Sequence, residues 1–260
     1  MRRVLKIAAL IVMSLAAIAV VILVAEGSDN YAEMKQWCSG IRVTDSRVLQ
    51  GCSVIIAANR ENQNEMARAF YNRGVGYDHS NQYDLSIRDY GEAIRLKPDN
   101  PNAFNNRGRA YYLARQYDKA IQDYDEALRL KPNDVEVINN RGNTYDENGQ
   151  YNRAVQDYDE AIRIKPDFAA TFNNRGVAYY HKGQFDRAIE DYDKAISLKF
   201  DYANAYDNRG VAYAGKGQYS LAIQDFDRAI RLMPNFADAI NNRADTLEKK
   251  KAQTNVPDSR

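Results

Sequence analysis

Aromatic and small residues recur along this chain at the spacing of one helix face. Phe104, Gly108 and Tyr111 stand at i, i+4 and i+7, and Tyr117, Ala120, Tyr124 and Ala127 form a second stripe. Stripes of that period predict amphipathic helices. A short turn separates the two, with Gly149, Gly183 and Gly217 at its equivalent further along. There a helix ends and φ is expected to turn positive. Proline closes the second helix because it has no N–H to continue it. Each such segment reads as a helical hairpin.

The hairpin recurs. Pro98, Pro132, Pro166 and Pro234 are spaced by 34, 34 and twice 34 residues, with Phe200 at the skipped place. Steps of 34 also align Gly74, Gly108, Gly142, Gly176 and Gly210, and separately Tyr77, Tyr111, Tyr145, Tyr179 and Tyr213. Ala93, Ala127, Ala161, Ala195 and Ala229 form a third column. Five units follow: 67–100, 101–134, 135–168, 169–202 and 203–236. One hairpin cannot bury its apolar face, so stacking hides it and the ends need caps. Residues 28–66 read as an N-terminal cap with a degenerate half-repeat. Arg47 to Ala58 can be laid over a second helix with a four-residue shift, which puts Cys52 in an aromatic column. Residues 237–252 read as a capping helix with Ala244 in the glycine column, and 253–260 as a disordered polar tail. The fold class is therefore all-α. Most of the nineteen tyrosines fall in three aromatic columns and are expected in the core.

The first residues follow another pattern. Arg2, Arg3 and Lys6 precede an uncharged run from Ile7 to Ala25. The run is longer than the ~7–15 residue core of a signal peptide and close to the ~20 residues that span a bilayer. Segment 1–27 thus reads as either a cleaved signal or a membrane anchor. Both export residues 28–260, because the basic residues stay on the cytoplasmic side. The expected location is the periplasm or the periplasmic face of the inner membrane, with residues 7–25 as the attachment in the anchored case. Cys38 and Cys52, the two cysteines, suggest a disulfide in an exported chain. Two buried free thiols are the alternative. A zinc site lacks a full ligand set.

Net charge is +1, from 36 basic and 35 acidic residues. A nucleic-acid coat would need a basic excess, so no nucleic-acid partner is expected. The two histidines, His79 and His181, lie three repeats apart and cannot share a metal or substrate when helices pack ~8–10 Å apart. Gly74-Val75-Gly76 lies within a helix and follows no strand, so it is not a nucleotide loop. Carboxylates recur in every unit, whereas a catalytic set is singular. The chain is read as a non-enzyme with no metal and no cofactor.

The period carries an aromatic at its fourth place, Gly at the eighth, Tyr at the eleventh, Ala at the twentieth and twenty-seventh and Pro at the thirty-second. This resembles the tetratricopeptide-repeat family, over residues 67–252, and its spelling looks like that of exported bacterial members. The resemblance implies an α-solenoid of helical hairpins in a right-handed superhelix. Its first helices would line a concave groove for a peptide or protein partner. The groove would be lined by places two, five, six, nine, twelve and thirteen. The sixth place reads Asn72, Asn106, Asn140, Asn174, Asn208 and Asn242, and the fifth adds Asn105, Asn139, Asn173 and Asn241. This resembles the asparagine ladder of protein O-GlcNAc transferases, where carboxamides grip an extended backbone. A carboxamide can donate to and accept from a peptide bond. Two other readings stay open, unbroken duplication and bonding to the neighbouring helix. Place nine, by contrast, has diverged: Val75, Arg109, Asn143, Val177, Val211. The Lys/Arg clamp of chaperone-binding members is not reproduced. Arg73, Arg107, Arg141, Arg175, Arg209 and Arg243 at place seven recur in step with Asp89, Asp123, Asp157, Asp191 and Asp225. That pairing predicts a partly exposed Arg–Asp ladder joining helices. The function expected is a protein-interaction scaffold. The alternatives are a structural part of an envelope assembly using convex or end surfaces, and a recognition subunit of a separate enzyme.

Overall fold

The computed structural model describes residues 28–40 and 44–254. The expected signal or anchor segment 1–27, and residues 255–260 of the expected tail, lie outside them. Among the described residues there are thirteen α-helices and no strand, and no helix is long and apolar enough to cross a membrane.

The chain divides into two compact units, residues 1–132 and 133–260. The first holds α1 (Ser28–Cys38), α2 (Asp45–Ala58), α3 (Gln63–His79), α4 (Tyr83–Leu96), α5 (Pro101–Leu113) and α6 (Tyr117–Leu130). Each helix packs antiparallel-hairpin fashion on its successor, and the first helices α1, α3 and α5 also touch one another in sequence. The second unit holds α7 (Val135–Glu147), α8 (Tyr151–Ile164), α9 (Ala169–His181), α10 (Phe185–Leu198), α11 (Ala203–Gly215), α12 (Tyr219–Leu232) and α13 (Ala237–Thr254). There too each helix packs on the next, and α7, α9, α11 and α13 form a contiguous row.

Local sequence explains the helix ends. Asn62, Asn100 and Asp134 cap α3, α5 and α7, their side chains accepting from Glu65, Asn102 and Glu136 backbone N–H groups. Pro101 opens α5 at a position whose N–H no helix needs. The hairpin turns need positive φ. Gly149, Gly183 and Gly217 supply it, while the first two repeats use Asn81 and Arg115, both at φ 57. Arg115 bears a left-handed strain of ~1–2 kcal/mol that glycine avoids.

Packing within each hairpin turns on one close approach. A Cβ on Gly176 would sit 2.6 Å from Tyr192 Cε1, and one on Gly210 would sit 2.7 Å from the Phe226 ring. The ring of the second helix occupies the space that any side chain on the first would need. Tyr90, Tyr124, Tyr158, Tyr192 and Phe226 are accordingly buried, between Ala columns that are also buried. The tyrosine column at place eleven departs from the core expectation, since Tyr77, Tyr111, Tyr179 and Tyr213 are half-buried. These rings lie along arginine instead, with the Arg175 guanidinium 5.8 Å from the Tyr179 ring centre.

The region expected as a degenerate half-repeat is a two-helix hairpin, α1 and α2. Here the order of parts is inverted. Gly51 is on the second helix, and a Cβ there would meet Met34 O at 2.6 Å and Trp37 Cβ at 2.8 Å. Cys52 takes the ring position and is fully buried, bonded to Cys38 across a separation of 14 residues. Met34, Val48, Val54 and Ile55 complete that core. At the other end α13 runs to Thr254, two residues into the segment expected as tail.

Candidate binding face of the first helices

The arginines of place seven are structural. Arg73, Arg107, Arg141, Arg175 and Arg209 each make two parallel bonds to the aspartate of their own second helix, as Arg209 does to Asp225 at 2.7 and 2.8 Å. The aspartates are more deeply buried than expected, 5–6 % exposed. Burial pushes the Asp123, Asp191 and Asp225 carboxyls up, and the bonds and charge of their arginines pull back. Arg175, Arg209 and Arg243 also reach Asp159, Asp193 and Asp227 of the preceding second helix. The ladder thus closes hairpins and, at these three arginines, also ties a repeat to the one before.

The asparagine column lies on the same first helices, and its nitrogens are spoken for. Asn72 Nδ2 donates to Cys38 O at 2.7 Å and Asn106 Nδ2 to Tyr71 Oη at 2.9 Å. Asn174 donates to Asn143 Oδ1 at 2.9 Å, Asn208 to Asn173 Oδ1 at 3.0 Å, and Asn242 to Asp207 Oδ1 at 3.0 Å. In each case the receiver belongs to the preceding hairpin. Asn140 is half-buried on α7 and is also bonded. Of the fifth-place residues, Asn139 and Asn173 are buried and Asn105 is half-buried. Asn173 Nδ2 lies 3.3 Å from Asn174 Oδ1. The column therefore stitches neighbouring helices through its nitrogens, and an outside ligand would meet mainly its oxygens. Asp207, in the place that Asn173 fills one repeat earlier, is pushed up by burial and held against it only by Asn242.

The histidines are likewise bridges. His79 Nδ1 is 2.8 Å from Asp45 Oδ1, and His181 Nδ1 is 3.2 Å from Asp146 Oδ1. Each pair joins a first helix to its neighbour, in unit 1 and unit 2 respectively.

One cleft opens on this face within unit 2, between α7 and α9. It encloses about 430 Å³ and is lined by Val135, Glu136, Asn139, Asn140, Asn143, Lys165, Phe168, Ala170 and Asn174. Places two, five, six and nine thus share one concavity there. Asn143 makes this cleft unlike the rest of the row. Asn143 is singular in its column, so a search for recurring residues passes over it.

Family models place these features. A tetratricopeptide-repeat model matches residues 101–134, 169–202 and 203–236, a second 123–156, and a TPR-repeat model 77–114 and 142–183. The chain belongs to the tetratricopeptide-repeat family. Solved structures share this tetratricopeptide fold. A crystal structure of MamA is 25 % identical at TM-score 0.56, covering 69 % of this chain and 96 % of that one. MamA 41-end from Desulfovibrio magneticus RS-1 is 20 % identical at TM-score 0.61, covering 68 % and 99 %. YrrB, described as a TPR protein with an unusual peptide-binding site, is 20 % identical at TM-score 0.57, covering 75 % and 99 %. No curated protein matches the chain by sequence. Tetratricopeptide repeats support a protein–protein interaction role, and scaffolds of this family are in general not enzymes.

Proposed function

We propose that this tetratricopeptide protein is an exported scaffold that holds an extended segment of a protein partner against the row of first helices. The observation that carries the reading is the cleft between α7 and α9, where groove places two, five, six and nine meet in one concavity. The YrrB likeness gives the fold a precedent for peptide binding. The buried Cys38–Cys52 disulfide and the apolar run 7–25 after a basic start support export to an oxidising compartment, with the run serving as signal or anchor. Fractionation that finds the protein in the cytosol would remove the export half of the proposal.

Groove asparagines that also stitch helices are poor probes, since their loss weakens the fold and the face together. A photo-crosslinking residue at exposed Asn204, on a first helix, tests the face with little disturbance. Partner crosslinks from position 204 and none from exposed Lys194, on a second helix, are expected. The reverse pattern would assign binding to the second helices and favour the structural-component reading.

A further inference from the structure

We propose that α4 carries a separate contact surface, a notch above Gly91 where an acidic helix of a protein partner sets one carboxylate on Arg107 and a second on Arg88. The inference does not depend on the first-helix face.

The notch is a gap in a pattern. In unit 2, Arg175 and Arg209 divide their guanidinium groups between two acids. Arg175 holds Asp191 of its own second helix and, through Nη1, Asp159 of the second helix before, at 2.6 Å. Arg209 does the same with Asp225 and Asp193. In unit 1, Arg73 reaches back to Ser53 Oγ at 3.3 Å. Arg107 keeps only the first half of the arrangement. Its Nε and Nη2 donate to Asp123, both at 2.7 Å. The place of Asp159 and Asp193 is filled by Gly91, and Arg107 Nη1 makes no hydrogen bond among the described residues.

The notch is open, and its donor is held. A Cβ on Gly91 would meet a single atom within 4 Å, Arg107 Nη1 at 3.6 Å. A carboxylate from outside therefore has room to reach that nitrogen. Asp123 fixes the guanidinium, and the Phe104 and Tyr111 ring centres lie 5.7 and 5.9 Å from it. A guanidinium presents its donors in a rigid fork, so an arriving carboxylate orders little that is not already ordered.

Charge shifts in the same direction one turn away. Arg88 stands three residues before Gly91 on α4, on the same face of the helix. It is exposed and has no ion pair among the described residues. Its place reads Gln122, Gln156, Glu190 and Gln224 in the later second helices. Helix α4 thus lacks a carboxylate at one turn and gains a guanidinium at the next. Arg95, one turn further on, is taken by Glu92. Two free donors a helical turn apart match two carboxylates at i and i+4 of a facing helix. Arg107 turns toward the second helices, whereas Asn106 beside it bonds to Tyr71 in the row of first helices.

The test uses the full 15N-labelled chain and two amidated, alanine-based helical peptides. One carries a Glu-Ala-Ala-Ala-Glu stretch, and its twin has Gln for both Glu. The Glu peptide should shift the Arg107 Nε–H and Gly91 amide resonances, and the Gln twin should bind at least ~tenfold more weakly. Gly91→Asp should supply the missing carboxylate from within, as Asp159 does for Arg175. It should raise the melting temperature and abolish the Glu-peptide shifts. Gly91→Ala, whose Cβ makes only an ordinary contact, should keep them. Should Gly91→Asp not fold, the two peptides on the unaltered protein still decide. Equal binding of the two peptides, shifts confined to other residues, or Glu-peptide binding that survives in Gly91→Asp would overturn the notch. Sodium acetate that gives the same shifts at the peptide's concentration would overturn the partner helix and leave a simple anion contact.

Discussion

The first hairpin and the last helix solve the same problem in opposite ways. Both lack a full repeat on one side. The hairpin α1–α2 closes on itself, with Cys52 in the place of a ring and a covalent link to Cys38. Helix α13 stays open. Its fourth-place Ile240 is 44 % exposed, where Phe104, Ile138 and Phe172 of inner repeats are buried. Ala244 replaces the column glycine, and no ring from a second helix stands over it among the described residues. The glycine column is thus a consequence of the ring column, and it lapses where the ring does. The arginine column follows suit. Arg209 grips a buried aspartate, whereas Arg243 meets only the half-exposed Asp227, their side chains being 39 % and 36 % accessible.

That contrast can be broken by substitution. Arg209→Ala should cost the most, ~3–5 kcal/mol, because it strands the Asp225 charge in the interior. Arg243→Ala should cost at most ~1 kcal/mol, as for an exposed pair. Paired urea melts decide the matter, and equal losses would show that burial does not set the value of these arginines. Replacing Cys38 and Cys52 together by serine should come next, at ~2–4 kcal/mol, read as a lower melting temperature that reducing agent produces in the unaltered protein and not in the variant. The glycine column gives the smallest and most direct comparison. Gly176→Ala should destabilise by ~1–3 kcal/mol through overpacking against Tyr192, despite the better helix propensity of alanine. Ala244→Gly should lose only the ~0.5–1 kcal/mol of that propensity. If Gly176→Ala stabilised the protein, ring insertion would not be what keeps the glycine.

The repeat was legible in the sequence because each column has one physical demand. A ring needs a missing Cβ opposite it, a buried carboxylate needs an arginine in step, and both recur every 34 residues. Neighbour relations were less legible. Period assigns Asn174 and Asn208 to a face, but not to the Asn143 and Asn173 oxygens one hairpin back, so ligand contact and helix stitching stayed equally open. The tyrosines at Tyr77, Tyr111 and their equivalents share the spacing of core residues, and only their arginine neighbours show why they stop half-way. Asn139 was legible as a member of the place-five column, whereas Asn143 showed only as a break in place nine, which says nothing of the bond that Asn174 donates to it. The cysteines were countable, but bonded and free pairs look alike in a sequence of this kind.

Every inter-repeat bond from place six or seven described above points the same way along the chain. Asn106, Asn174, Asn208 and Asn242, and Arg175, Arg209 and Arg243, all donate toward the hairpin that precedes them. The protein has a grain. Synthesis releases the chain N-terminus first, so each emerging first helix finds the acceptors of these inter-repeat bonds already in place, and waits only for the aspartate and ring of its own second helix. Assembly can proceed as directional growth, with every finished hairpin serving as the template edge for the next.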